Sequence, residues 1–364
     1  MFSTPFVLSY TLLLSLPLLF LLAPRILPPR NLPISIPDEL DDLALFRRAA
    51  ISASNRPYRP SSPTPKIAFL FLTNSDLSFT PLWDRFFDGH ERLFNIYVHA
   101  DPTVPISPLT GVFRNRLIAA KRTQRASPTL ISAARRLLAA ALLDDPANAF
   151  FALVSQHCIP LHSFHFVYHS LFAQHLLPPA AASSSESWTG AVGEGGGRRE
   201  ERRRRYLSFI EILADEPGLW ERYTARGDNV MLPEVPFSRF RVGSQFFILT
   251  RSHALLVIRD RRLWKKFRLP CRKRESCYPE EHYFPTLLSM EDPMGCTHFT
   301  LTRVNWTGST GGHPHTYGPA EVSPELITRL RKSNSTYSFL FARKFAPACL
   351  KPLLEITETV LFRD

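Results

Sequence analysis

The sequence predicts an α/β protein, a sheet flanked by helices, and three stretches carry that prediction. "KIAFLFLT", Lys66–Thr73, is an almost unbroken apolar run of strand length, the pattern of a strand buried on both faces. "FTPLWDRFFDGH" follows with apolar residues at helical spacing, and "NIYVHAD" reads as a second strand that ends on Asp101. Strand, helix, strand in that order implies a parallel pair joined by a right-handed crossover, with ligands at the carboxyl ends of the strands.

The elements that follow keep the alternation. "LISAARRLLAAALLDD" is a helix, "AFFALVSQHCIPL" a strand that runs into a loop, and "SFHFVYHSLFAQHL" another helix, so Asp101 and the segment from Ser155 to Cys158 both fall at strand ends. His165 and His169 in that last helix stand four apart, the spacing of paired metal ligands, but no third ligand is evident and the interleaved Phe164, Phe166 and Tyr168 favour packing. The second half continues with strand "VGSQFFILTR", helix "SHALLVIRDRRLWKKF", a helix opened by "CYPEEHYFPTLL", strand "THFTLTRVNW" and finally "YSFLFARKF". There is no internal repeat.

Ahead of the folded part, residues 1–23 carry no charge and are about long enough to span a bilayer, as a signal anchor or a signal peptide would. Arg25 and Arg30 just after this segment argue against a lumenal C-terminal side, whereas the sequons at Asn305 and Asn334 make sense only in the secretory lumen. One N-terminal anchor with one lumenal domain is the simplest topology. Residues 24–64, rich in Pro, Ser and charge, read as a stem.

Lys and Arg exceed Asp and Glu by 44 to 32, which suits a polyanionic or membrane-surface partner. Much of that excess lies in "RREERRRR" beside a Gly- and Ser-rich run, so it belongs to a low-complexity insertion at about 179–205. Without interleaved aromatics the run does not read as a nucleic-acid site. The "GEGGG" beside it lacks the Lys-Ser or Lys-Thr of a phosphate loop. Five cysteines leave at least one unpaired in a monomer; Cys271 and Cys277 are placed to close a short loop, and no CxxC pair supports the competing zinc reading.

Two stretches carry candidate chemistry. In "CYPEEHYFPTLL", Pro279 suits the first position of a helix and puts Glu280 and Glu281 in its first turn, either as solvated helix-end acids or with one held at the core edge as a general base. In "FLFARKF", Arg343 and Lys344 adjoin Phe339 to Phe341, as surface bases or as cations gripping a phosphate.

Taken in order from about residue 66 to 350, "KIAFLFLT", "NIYVHADP", "SQHCIPL", "GSQFFILTR", "CYPEEHYFPTLL", "VNWTG", "GGHPHTYG" and "FLFARKFAP" resemble the plant branch of the core-2/I-branching β-1,6-N-acetylglucosaminyltransferase family. The resemblance implies a GT-A type fold with a mixed central sheet flanked by helices, preceded by a single transmembrane helix, in a type II Golgi membrane protein whose lumenal domain spans 65–355. It implies inverting transfer of a GlcNAc-like sugar from a UDP-sugar to a glycan or glycoprotein acceptor, with no metal or other cofactor. No Asp-x-Asp occurs in the chain.

By the same resemblance Glu281 rather than Glu280 is the catalytic base, Glu280 supporting the helix end. Lys344, with Arg343 beside it, binds the nucleotide phosphates; the family's second base falls near His313 and His315. Asp101 matches a position near the uridine, Trp306 an aromatic on the acceptor, and Arg222 of "WERY" faces the acceptor. Departures are visible on the donor side. "RTQRASPTLISAARRLL" replaces a Trp-Gly pair and an acid, and "SQHC" replaces Ser-Glu-x-Cys. They leave a non-catalytic, glycan-binding or scaffolding member of the family as the alternative. A glycosidase would need two opposed carboxylates about 5 to 10 Å apart, and the sequence offers no evident partner for Glu281.

Overall fold

The computed structural model describes residues 38–55, 64–173, 206–309 and 312–364. The expected anchor at 1–23 and the insertion at about 179–205 lie outside the described residues. Among the described residues no helix is long and apolar enough to cross a membrane. The chain divides into Met1–Leu43, of which only the start of a helix is described, and Ala44–Asp364. Part of the expected stem is structured: a helix runs over Asp38–Asn55, and in the larger unit its Phe46, Ala49 and Ala53 are buried. Those apolar residues recur at helical spacing inside a charged, Pro-flanked stretch, so composition masked the period.

A four-stranded sheet organises the larger unit. Its strands are β1 (Lys66–Thr73), β2 (Phe94–Ala100), β3 (Asn148–Ser155) and, beyond β4 (Ile159–Pro160), β5 (Ile248–Thr250), in the order β2-β1-β3-β5. β1 pairs in parallel with β2 and β3, while β5 runs antiparallel to β3, so the sheet is mixed as expected. β1 shows why its sequence is apolar throughout. Ala68, Leu70 and Leu72 pack with Leu137 and Leu138 of the helix Pro128–Asp144, and with Leu287 of the helix Tyr283–Glu291. Ile67, Phe69 and Phe71 pack on the other face with Trp83 and Phe87 of the helix Thr80–Phe87 and Phe164 of the helix Phe164–Phe172. Burial on both faces leaves no polar alternation to read.

A smaller sheet, β4 with β6 (Thr302–Val304) and β7 (Phe341–Arg343), has the order β4-β7-β6 and joins the second cluster through Ile159, Phe341 and Ala342. It brings the end of β7 to the loop after β3, where Phe345 N donates to His157 O at 3.1 Å.

Two expected helices are subdivided. "SHALLVIRDRRLWKKF" forms helices at Arg251–Arg259 and Trp264–Phe267 because Asp260 stops the first and caps the second, accepting from Leu263 N (3.0 Å) and Trp264 N (2.9 Å). The glutamates likewise do not sit in the first turn of their helix. Pro279–Glu281 is a separate 3₁₀ turn, and the α-helix begins at Tyr283. Pro285, four residues beyond Glu281, has no N–H to donate to the Glu281 carbonyl, which accepts instead from Gly243 N at 2.9 Å.

His165 and His169 are side by side, ring centroids 4.2 Å apart, but on an exposed face. They are not the packing residues expected. Cys271 and Cys277 do form a disulfide, with Cα atoms 6.1 Å apart, while Cys158, Cys296 and Cys349 are buried thiols.

Candidate active site

The carboxyl ends of β1, β2 and β3 converge, and the site grows from their loops. Asp101 N donates to Thr73 O at 3.0 Å, and Gln156 Nε2 donates to Asn74 Oδ1 at 2.7 Å, joining the three strand ends. Asp101 is buried. Burial alone would raise its pKa, but bonds from the N–H and hydroxyl of both Thr103 and Thr123, at 2.7 to 2.8 Å, overcome that and hold it down at about 2. The carboxylate expected near a uridine is thus a permanent anion that ties two loops together.

Glu281 is fixed mainly through its backbone. Its N–H donates to Tyr278 O at 3.0 Å and its carbonyl accepts from Gly243. A Cβ on Gly243 would lie 2.0 Å from Glu211 O and 3.1 Å from Pro285 Cγ, so only glycine lets the two segments approach this closely. The half-buried Glu281 side chain accepts from Arg222 Nη1 at 2.8 Å, so the two residues predicted as base and acceptor-side cation do meet. Arg222 lies on the short helix Leu219–Thr224. Arg272 N and Lys273 N of the disulfide loop donate to Ala225 O at 2.9 and 3.0 Å, and so brace the end of that helix. Tyr278 follows the disulfide with φ of 34° and holds its ring within 5.4 Å of the Arg222 guanidinium and 5.5 Å of that of Arg125.

Glu280 points the other way. Its buried Oε1 accepts from Ala126 N at 3.0 Å, and Oε2 is buried without a hydrogen-bond partner. Burial pushes its carboxyl up to about 7, with the Glu281 charge adding to the rise against the hydrogen bonds that oppose it. It therefore does more than support a helix end. A second acid also stands near the base: burial holds the Glu211 carboxyl above its usual range, and the Glu281 charge contributes.

The cations gather beyond Glu281. Arg343 stacks on Phe246, its guanidinium carbon 4.3 Å from the ring centroid, and its buried Nε has no hydrogen-bond partner. Burial lowers its pKa, and the Glu281 charge is among the influences that oppose that shift. Lys344 is half-buried, and burial, then the charges of Arg343 and Arg125, keep its ammonium below the usual range. His157 of "SQHC" is held down by burial and by the same Lys344 and Arg343. His313 joins them: Arg125 lowers its pKa first, then burial, Lys344 and Arg343. His315 instead pairs with Glu321 at 2.8 Å, which separates the two candidates for the second base. Trp306 is exposed on the loop that carries His313, closed by His315 N to Asn305 O at 2.9 Å and Ser309 Oγ to His313 O at 2.9 Å. Asn334 is exposed, whereas Asn305 is half-buried with Oδ1 accepting from Thr307 N at 3.0 Å. Among the described residues no three His, Cys, Asp or Glu side chains are grouped to hold a metal ion.

Arg125, His157 and Gly243 were missed as site residues by sequence reasoning. The first two lie in the stretches that depart from the family pattern, and Gly243 lay unremarked within "GSQFFILTR".

The arrangement is a carboxylate beside clustered cations at the carboxyl ends of the parallel strands β1, β2 and β3, where group transfer from a phosphorylated donor is feasible. Residues 67–176 and 201–331 match the family model of the Core-2/I-Branching enzyme, about two thirds of the chain, and the chain belongs to that family. It is therefore a glycosyltransferase. Among individual proteins, it is 28% identical to Glycosyltransferase BC10 of Oryza sativa subsp. japonica over 345 residues, covering 80% of this chain and 76% of the relative.

Proposed function

We propose that the chain is an inverting glycosyltransferase that carries a GlcNAc-like sugar from a UDP-sugar to a glycan acceptor, with cationic side chains rather than a metal ion meeting the diphosphate. Glu281 acts as the base, Lys344 and Arg343 face the phosphates, and Arg222 and Trp306 lie on the acceptor side. The observation that carries this reading is the Glu281 carboxylate, bonded by Arg222 through Oε2 and close enough to the cation cluster to act on Arg343.

The chemistry follows from that placement. Glu281 Oε1 takes the proton of an acceptor hydroxyl as its oxygen attacks the anomeric carbon from the face opposite the nucleotide. The bond from that carbon to the β-phosphate oxygen breaks with its electron pair, and UDP leaves with inverted configuration on the transferred sugar. Negative charge grows on the leaving oxygen, where Lys344 and Arg343, partly withdrawn from water, interact more strongly than exposed cations would.

We place the enzyme in the Golgi membrane as a single-pass type II protein, with the apolar segment at 1–23 as anchor and the catalytic domain lumenal. The sequons support that orientation. The first experiment is titration of UDP, with chelator present, into wild type and Lys344→Ala, followed by assays of UDP-sugars against glycan acceptors. Tight binding that falls about tenfold or more in the variant is expected, since a charge-assisted hydrogen bond contributes about 1.5 to 3 kcal/mol. Absence of UDP binding by folded wild type would instead favour a non-catalytic family member; binding restored only by a divalent metal would overturn the metal-independent reading.

A further inference from the structure

The loop from Thr123 to Ser127 is held at two points by acids that the reaction does not use. Thr123 donates both its N–H and its hydroxyl to Asp101 Oδ2 at 2.8 Å. Ala126, in the left-handed region at φ 55°, donates its N–H to the buried Glu280 at 3.0 Å. Between these two anchors Arg125 extends over the Tyr278 ring to the far loop, where Nη2 donates to Gly312 O at 2.6 Å and Nη1 meets His313 Nε2 at 2.5 Å.

No carboxylate forms an ion pair with Arg125 among the described residues. Its charge acts on the like charges of Lys344 and Arg343, on the neutral His313, and on the buried Glu280, whose carboxyl burial holds well above its usual range. Arg125 donates to His313 Nε2, which fixes that ring nitrogen as an acceptor and the imidazole as neutral. Arg125 on its clamped loop, with Arg343 and Lys344 at the end of β7, leaves a positive field that a multiply charged anion relieves.

We infer that Arg125 is a further binding residue for the donor's diphosphate, presented by a loop that Asp101 and Glu280 clamp at either end, with His313 orienting its guanidinium. The inference rests on the donor-site reading above and names a cation that reading does not contain. It also gives the two buried acids a shared task. Only two of the guanidinium's five N–H groups are engaged by Gly312 and His313, which leaves donors in a planar fork suited to phosphate oxygens.

The test titrates UDP and uridine into the full-length chain in detergent, as wild type, Arg125→Gln and Arg125→Lys, with thermal unfolding to confirm the exposed substitution leaves the fold intact. UDP affinity is expected to fall about tenfold or more in Arg125→Gln, to recover in part in Arg125→Lys, and uridine binding to stay level. The salt dependence of UDP binding should weaken along with the affinity. Equal UDP affinity in wild type and Arg125→Gln overturns the inference and leaves the donor site standing. Equal losses for UDP and uridine also overturn it, because they mark a loop that merely shapes the pocket. If folded wild type binds no UDP, the donor-site reading fails first and the role of Arg125 fails with it.

Discussion

The turn that carries Glu281 and the cluster around Lys344, linked by the action of the Glu281 charge on Arg343, are built by different means. Glu281 is fixed by backbone hydrogen bonds to Tyr278 and Gly243, with a disulfide loop bracing the helix of its partner Arg222. Arg125, Lys344 and His313 are long or exposed side chains on loops, where charge and a few side-chain bonds set position. A base has to meet one hydroxyl within hydrogen-bond reach, so rigidity is useful there. A polyanion is recognised by field as well as contact, and a set of cations tolerates small displacements. Damage to the first region should therefore appear in turnover, and damage to the second in nucleotide affinity.

Glu281→Gln gives the largest expected effect. Removing the base should lower turnover by about 10²- to 10⁴-fold, while UDP affinity and unfolding temperature stay near those of wild type. Parallel measurement of transfer rate and UDP titration checks it; retained turnover would end the base assignment.

Gly243→Ala comes next, because it attacks the same turn through its backbone. The new Cβ would meet the Glu211 carbonyl at 2.0 Å, and neither neighbour is the end of a flexible side chain. A loss of about 3 kcal/mol in chemical denaturation is expected for such overpacking, with turnover falling further than stability explains. A stable, active Gly243→Ala protein would show that the base turn is less rigid than its hydrogen bonds imply. Replacing Cys271 and Cys277 together by serine is the milder version. Opening so short a loop costs about 2 kcal/mol, and loosening the Arg222 helix should lower turnover several-fold while UDP affinity is kept. Equal loss of both would dissolve the contrast between the two regions.

The sheet was legible because burial on both faces writes a continuous apolar run, as in Lys66–Thr73. The meeting of Glu281 and Arg222 was legible only through the resemblance, since 59 residues separate them and no local pattern links them. Arg125 was hidden for the same reason: its contacts lie 187 and 188 residues away, and "RTQRASP" reads locally as an ordinary polar loop. Two local signals were present but pass easily unnoticed. Pro285 four residues after Glu281 announces that the glutamate's carbonyl must bond outside its own helix, and Asp260 between two apolar runs announces a stop and a cap. His165 and His169 show the opposite error, where aromatic neighbours suggested burial for rings that face solvent.

Glu280→Gln should change turnover least, and it separates the two regions by pH because Glu280 links them, clamping the Arg125 loop from within the base turn. An amide keeps an oxygen to accept the Ala126 N–H but carries no charge. The wild-type carboxyl titrates near 7 when folded and near 4.5 as its ordinary value. Between those values the folded chain holds a proton the unfolded chain has released, so stability falls as pH rises. The favourable contribution is complete below about 4.5 and is lost as pH passes 7, an effect of at most about 3 kcal/mol, at 1.36 kcal/mol for each pH unit. Urea unfolding at pH 5 and pH 8.5 should show wild type losing stability relative to Glu280→Gln at the higher pH. Two curves that run parallel would mean that Glu280 is solvated, that its hold on Ala126 is weak, and that the Arg125 loop is clamped by Asp101 alone.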